Sequence, residues 1–405
     1  MSTPLEGIRV LDLTRVLAGP HCSRMLADLG AEVIKVEPPA GDLTRFSAPR
    51  VNGLASYFVQ QNVGKRNVSI DLAKPGGADL VLALAEHCDV LLENFRPGVM
   101  ARNGLGYETV AARNPRIVYA SITGYGASGP WVRRRAYAPV VGAETGLTKS
   151  QGDARRGPYV NDPHSHADVY TSLETCSAIL AALVQRQRSG RGQWIDVSMA
   201  QTMLYVNEHA HDALWDGAVE AGRVRSFAPG DYIVATLANG DTVVVSGHPA
   251  ERGTFELFVG ALGRFDLLDD ARFADAVDRM ANFDLLREEI LTTAATFADA
   301  EEFERRFAEH GLAVGVVRST RELCETEWAR VRDVVVEVTD RGGGTIRVPN
   351  APWRFSDAPE VGVRGVARYR GEDNREVLSE LLGMTGVELD RLEAAGILSS
   401  RRPPR

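Results

Sequence analysis

The stretch HSHADVYTSLETC, His164 to Cys176, brings two histidines, an aspartate and a cysteine close together. Three chemistries fit those residue types. His164, His166 and Asp168 alternate, and in an extended segment alternating residues share one side, which would give zinc a three-ligand donor set. Asp168 alone suits a nucleophile, provided its carboxylate is freed from strong hydrogen bonds that would lower its basicity. It also suits the first turn of a helix, where a carboxylate satisfies free amides. No HExxH frame accompanies the histidines and Pro163 fits a polar loop equally well, so no metal is expected. Cys176 lies among small residues with no adjacent histidine to activate it, the setting of a buried structural thiol. His209 and His211, followed by Asp212, would not share a face of a helix.

Arg96, in Asn94-Phe95-Arg96-Pro97-Gly98, directly follows an expected strand. A guanidinium fixed at a strand end can pair with phosphate; a surface or capping arginine is the plain alternative. Lys65 and Arg66, in a Gly-Lys-Arg triplet, add phosphate charge only if the fold brings them near Arg96.

The elements that must position these groups alternate regularly. Strands are expected at Ile8 to Leu13, Glu32 to Glu37, Val68 to Leu72, Asp89 to Glu93, Ile117 to Ile122 and Trp194 to Val197. Helices are expected at Pro20 to Leu29, Gly76 to His87, Tyr107 to Asn114 and Val169 to Gln187, the last broken by Ser189 to Gly192. This rhythm predicts an α/β fold with a mostly parallel sheet covered by helices, and ligands beyond the strands' carboxyl ends. Those ends fall near Thr14 to Gly19, Glu37 to Asp42, Asn94 to Gly98 and Thr123 to Gly129. No GxGxxG follows the first strand and no GxxxxGK[ST] occurs.

From about Arg223 the texture becomes α+β. Asp231 to Leu237 and Asp241 to Ser246 form a hairpin around Asn239-Gly240, followed by acidic helices. Val314 to Val317 is expected to return the chain to the larger domain. Strands at Val334 to Val338 and Thr345 to Val348 follow, then helices at Asn374 to Leu382 and Gly386 to Ala394.

A formal charge of -8 and a pI near 5.6 argue against nucleic-acid partners, although an anionic ligand needs only a local positive cluster. Cys22, Cys88, Cys176 and Cys324 form no CxxC pair, so neither a disulfide scaffold nor a zinc knuckle is suggested. The beginning lacks a secretory pattern, and no apolar run reaches the roughly 18 residues of a membrane span. A soluble cytoplasmic protein with no membrane partner is expected.

In order along the chain, VLDLTRVLAGPHCSRMLADLGAEVIKVEPPAGD, NVGKRNVSIDL, DVLLENFRPGVMARNGLGYE, YASITGYGASGP, ILAALVQRQRSGRGQWIDVSM and REVLSELLGMTGVELDRLEAAGI resemble the class III coenzyme A-transferases. This CaiB/BaiF-type family also includes alpha-methylacyl-CoA racemases. The resemblance implies a Rossmann-like large domain assembled from both ends of the chain (1–224 and 326–405), a smaller α+β domain (225–325), and an interlocked homodimer. It implies an enzyme that moves coenzyme A between an acyl-CoA and a small carboxylic acid, with the CoA thioester as substrate and no prosthetic group or metal. Asp168 takes the nucleophile's place in it, with His164 and His166 on the approach. CoA contacts are implied at Val16, Ala18, Arg45, Lys65, Arg66 and Arg96.

Two departures from the family pattern bear on the reaction. The racemase histidine-aspartate pair is replaced at Tyr137-Ala138, and a tyrosine, whose reference pKa is ~10, is a poor base at neutral pH. The glycine-rich lid of some transferases is reduced to Gly247 in Ser246-Gly247-His248-Pro249, where His248 is a candidate hydrogen-bonding group. Oxyanion-stabilising amides are expected at Gly126 to Gly129 or Gly247. Racemisation and catalytically weak thioester binding are the alternatives.

Overall fold

Short apolar runs separated by amphipathic segments fold, in a computed structural model that describes residues 2–217 and 231–401, into a six-stranded sheet. Its strands are β1 Arg9–Asp12, β2 Glu32–Glu37, β3 Arg66–Ser69, β4 Val90–Glu93, β5 Val118–Thr123 and β6 Gln193–Ser198. All neighbours are parallel, in the order β3-β2-β1-β4-β5-β6. That order reverses direction between β1 and β4, which opens a crevice at their carboxyl ends.

Both faces of the sheet are covered, so its central strands are apolar throughout rather than alternating with polar residues. Val10, Val33, Val90, Leu92, Ala120 and Ile122 join one core cluster. Their neighbours Leu11, Ile34, Val36, Leu91 and Tyr119 join the other. Three helices bear on the site from the first face: α1 Ala18–Asp28, α2 Ala138–Glu144 and α3 His166–Ser189.

Helix α3 starts three residues earlier than the apolar pattern suggests and ends at left-handed Gly190 (φ 69°). His166 and Asp168 are therefore helical and do not alternate along a strand. Contrary to expectation, α3 is long and apolar enough to cross a membrane, with a mean hydropathy of 1.3 over its window. It packs in the core instead, with Ala167, Cys176, Ile179, Ala182 and Leu183 buried.

The chain divides into two compact units, Met1–Leu214 with Trp328–Arg405, and Trp215–Glu327. The expected boundary at 224/225 lies outside the described residues. In the second unit, β7 Ile233–Thr236 and β8 Thr242–Val245 pair around Gly240, and β9 Val314–Val316 adds to β8 antiparallel. Val314 to Val317 thus completes this small sheet and does not return to the large one. Its core is phenylalanine-rich: Phe297, Phe303 and Phe307 are in mutual ring contact, and Phe258 meets Phe307.

After the second unit the chain closes the first. The hairpin Val335–Thr339 and Thr345–Pro349 buries Val338 and Val348 against Leu54, Val59 and Val63. Helices Asn374–Leu382 and Gly386–Ala394 contribute Val377, Leu378 and Leu389 to the second face. The outer edge of β3 is covered as well: the Asp373 and Asn374 side chains accept from the Asn67 and Ser69 amides (2.8 Å each), which leaves little edge for another strand.

Candidate active site

At the crevice between β1 and β4 lies a cavity of about 220 Å³. Arg15, Val16 and Ala18 reach it from the loop after β1, Asn94 to Pro97 from the loop after β4, and Thr123 to Gly126 from that after β5. Arg135 and Tyr137 come from the approach to α2, and Asp168 from the first turn of α3. Five of the residues singled out from the sequence, Val16, Ala18, Arg96, Tyr137 and Asp168, therefore converge on one space.

The Asp168 carboxyl is not used to cap its own helix, which has no side-chain cap bond. Its polar neighbours are the backbone amides of Ala18 and Ala138, the first residues of α1 and α2. Two helix N-termini thus face one carboxylate, an arrangement that favours its charged form. Burial opposes them and wins, pushing the Asp168 pKa up to about 6. At neutral pH the group is still mostly ionised, yet more basic than an exposed aspartate. Ser172 on α3 donates to the Ala18 carbonyl (2.6 Å), fixing the entry of α1 beside the carboxylate.

The first loop is held in an uncommon conformation. Val16 has φ 69°, a left-handed value that a β-branched residue rarely adopts and that costs about 1–3 kcal/mol. Its amide donates to the Asp42 carboxylate (3.2 Å). Gly19 admits the loop's close return, since a Cβ there would stand 2.2 Å from Thr14.

Beneath the loop is a buried ionic network. Lys65 donates to Asp12 (3.1 Å), Pro20 O (2.9 Å), Ser23 (2.7 Å) and Asn62 (2.9 Å). Lys35 donates to Thr14 O (2.8 Å) and pairs with Asp42 (3.3 Å). Burial by itself would push the Asp12 carboxyl up; the Lys65 and Lys35 charges and the Ser23 and Thr14 hydroxyls hold it well below the carboxylate range.

This geometry corrects the CoA contacts assigned to Lys65 and Arg66. Lys65 is 2% exposed, and its four acceptors already outnumber its three N–H groups. Arg66 faces the protein's outer edge, paired with Glu32 (2.7 Å), Glu380 (2.8 Å) and Glu376 (3.2 Å). Arg45 lies outside the cavity too, bonded to Glu37 (2.8 Å) and stacked 3.6 Å over the Phe58 ring.

His164 and His166 do not line the cavity either. His166 bonds Asp162 and stacks on Tyr170 (5.3 Å). Among the described residues no three His, Cys, Asp or Glu side chains converge as a metal site would require.

Gly247 and His248 belong to the second unit. His248 is 1% exposed and its ring stacks on Phe283 at 4.6 Å. Its Nδ1 accepts the Ala250 amide (3.1 Å), a structural use of the ring.

The amides expected to stabilise an oxyanion are partly taken. Gly126 N–H donates to Thr123 (2.9 Å) and Ala127 N–H to Asp196 (2.9 Å).

Cations that do remain at the cavity are Arg15, Arg96 and Arg135, none paired with a carboxylate among the described residues. Arg134, also in the lining, bonds Glu144 and lies 4.4 Å from the Trp131 ring centroid. A net negative chain has thus concentrated guanidinium charge around one aspartate.

Arg15 escaped the sequence reading, although its place one loop beyond β1 was the available signal. Tyr57 escaped it too. Burial raises its phenol pKa, and the Asp168 charge adds to the rise, which sets it within the field of that carboxylate. No local pattern marked it.

The model of a family described as CoA-transferase family III matches residues 5–374. The chain is 32% identical over 403 residues to succinyl-CoA:glutarate CoA-transferase of Mus musculus, spanning 98% of this chain and 90% of that one. It is 32% identical over 419 residues to formyl-CoA:oxalate CoA-transferase of Streptomyces avermitilis, spanning 98% and 100%. Among solved structures it superposes on a CAIB/BAIF family protein from Brucella suis with a TM-score of 0.80 at 30% identity, covering 94% of this chain and 100% of that one.

Proposed function

Because the chain belongs to CoA-transferase family III and is a class III CoA-transferase, we propose that it works through covalent intermediates on Asp168. The Asp168 carboxylate attacks the donor thioester RCO–SCoA, giving the mixed anhydride RCO–O–CO–Asp168 and CoA thiolate. The thiolate attacks the Asp168 carbonyl, releasing RCOO⁻ and leaving Asp168–CO–SCoA. The acceptor R′COO⁻ then displaces the thiolate to form a second anhydride. Return of the thiolate yields R′CO–SCoA and restores the carboxylate. Anhydrides retain acyl-transfer potential, so the site must keep water away while they exist.

The observation that carries this reading is the carboxyl of Asp168, buried in the cavity and faced by the amides of Ala18 and Ala138. Negative charge develops on its own oxygen each time thiolate or carboxylate adds to its carbonyl, and those two amides lie near enough to the carboxyl to act on that charge. Among the described residues no histidine lines the cavity, which disfavours the two-base chemistry of racemisation. We carry the interlocked homodimer as part of the same proposal. Succinyl-CoA and formyl-CoA as donors with glutarate and oxalate as acceptors, the compounds that the relatives' names specify, make the first substrate panel.

The test follows thioester exchange and α-proton exchange together in deuterated water, on protein whose sedimentation mass is first compared with twice the 44.0 kDa chain. Acid-dependent formation of a new thioester, with hydroxylamine trapping at Asp168, is expected. Deuterium incorporation without transfer would replace the reading with racemisation, and binding without either would reduce it to a thioester-binding protein.

Arg96 and Arg135 supply the unpaired charge for the CoA phosphates in this reading. Arg96→Ala and Arg135→Ala should each raise KM for the acyl-CoA by roughly tenfold, consistent with a charged hydrogen bond at a partly exposed site, with kcat little changed. Each should also flatten the decline of kcat/KM with salt. A kcat loss at unchanged KM would assign them another role.

A further inference from the structure

A second cavity, of about 310 Å³, lies beyond the carboxyl ends of β2 and β3. Pro39 to Gly41, just past β2, line it, and so does Arg370, whose guanidinium donates to Ser69 at the end of β3 (2.7 Å). The short turn Leu43–Phe46 serves both cavities: Leu43 lines the one with Asp168, Arg45 and Phe46 line the second.

Among the described residues, the second cavity's lining holds Arg45, Arg50, Arg370 and Arg401 and no carboxylate. Glu37 neutralises Arg45. The other three have no carboxylate partner among the described residues; Arg370 bonds only the hydroxyls of Ser69 and Ser399. Burial lowers the Arg370 pKa; Glu37 opposes that, while the Arg45 and Arg401 charges add to it. Arg370 is partly buried beside the exposed Arg50 and Arg401, and a bound dianion would offset the mutual repulsion of the three guanidinium groups. Phe46, 54% exposed, adds ring surface beside the cations, whereas the Tyr369 ring is buried and covered by Arg341 at 4.8 Å.

We propose that this arginine-lined cavity is a binding site for a phosphate monoester, held by the guanidinium forks of Arg50, Arg370 and Arg401. Arginine forks match phosphate geometry bidentately, and the exposed Phe46 ring suits a nucleoside or other flat group carrying that phosphate. The same chemistry has two sources: the 3′-phosphate at the nucleotide end of a CoA substrate, or a free phosphorylated metabolite. The site stands on the guanidinium cluster and not on the role of Asp168.

The experiment titrates adenosine 3′,5′-bisphosphate, CoA and 3′-dephospho-CoA into the full chain and into Arg370→Met, Arg50→Ala and Arg401→Ala. Melting temperatures identify any variant that fails to fold, and the exposed Arg50 and Arg401 keep the test open if Arg370→Met does. Bisphosphate affinity should fall roughly tenfold or more in each folded variant. If the preference for CoA over dephospho-CoA disappears with it, the phosphate is the substrate's own. If that preference survives while bisphosphate affinity falls, the ligand is a separate metabolite. Equal bisphosphate affinity in the parent and the variants, or no binding by the parent at millimolar concentration, overturns the proposal. Asp168→Asn serves as the control that separates this result from the nucleophile, since it should leave the bisphosphate titration unchanged.

Discussion

Asp168→Asn should lower CoA transfer by roughly 10³-fold or more, the scale on which enzymes lose rate when a nucleophile is removed. The amide keeps the side chain's shape but forms no anhydride, so hydroxylamine trapping and the adduct mass should vanish while CoA still binds. The unaltered enzyme should show kcat/KM rising about tenfold per pH unit up to about 6 and level above it, following the raised Asp168 pKa.

The same shift predicts a stability signature of opposite sense. A carboxyl whose folded pKa is raised stabilises the protein only while protonated; that contribution is complete below 3.8 and lost as pH rises through about 6. Asp168→Asn removes the loss. Its melting temperature should exceed the parent's at pH 7.5, by the equivalent of about 2 kcal/mol after allowing for partial exposure, and the gain should shrink toward pH 4. A variant less stable than the parent at pH 7.5, or one with undiminished transfer, would remove Asp168 from the centre of the chemistry.

Lys65→Met separates the two roles assigned to that lysine. A phosphate contact would show as weaker CoA binding by a stable protein. The buried network predicts the reverse: about 3–5 kcal/mol of lost stability, because Asp12 is left charged and 0% exposed, with CoA affinity of the folded protein within a factor of a few. Asp12→Asn combined with Lys65→Met removes both charges and should recover most of the loss, a coupling that denaturant midpoints measure directly. Equal destabilisation in the single and double variants would mean that the pair itself contributes little. Lost loop geometry around Val16 is the expected route by which any residual activity defect arises, since Ser23 and Thr14 join Asp12 in the same network.

Most of the fold was legible because it rests on short-range patterning. Strands of four to six residues, helix stops at Gly190 and Gly383 and the Asn239-Gly240 turn are each written within a few neighbouring residues. The His164-His166-Asp168 spacing was misleading for the same local reason. Alternation looks extended, but the segment that follows is helical enough to pull His166 into α3. Val314 to Val317 failed differently, since either sheet could accept a short valine strand and nothing near it names the partner.

Asp168 as the proposed nucleophile, the alternation of strands and helices, and membership of the transferase family were all legible in the linear order of residues. Partnering of charge does not. Lys65 and Arg96 are both cations beside strands, and only assembly sets one against Asp12, 53 positions away, and the other on an open cavity. The amides of Ala18 and Ala138 likewise meet Asp168 from two helices far apart in the chain. Local propensity is a property of adjacent residues, whereas desolvation and Coulomb energy depend on which distant groups the packed sheet brings together, so the basicity of Asp168 was left for tertiary structure to decide.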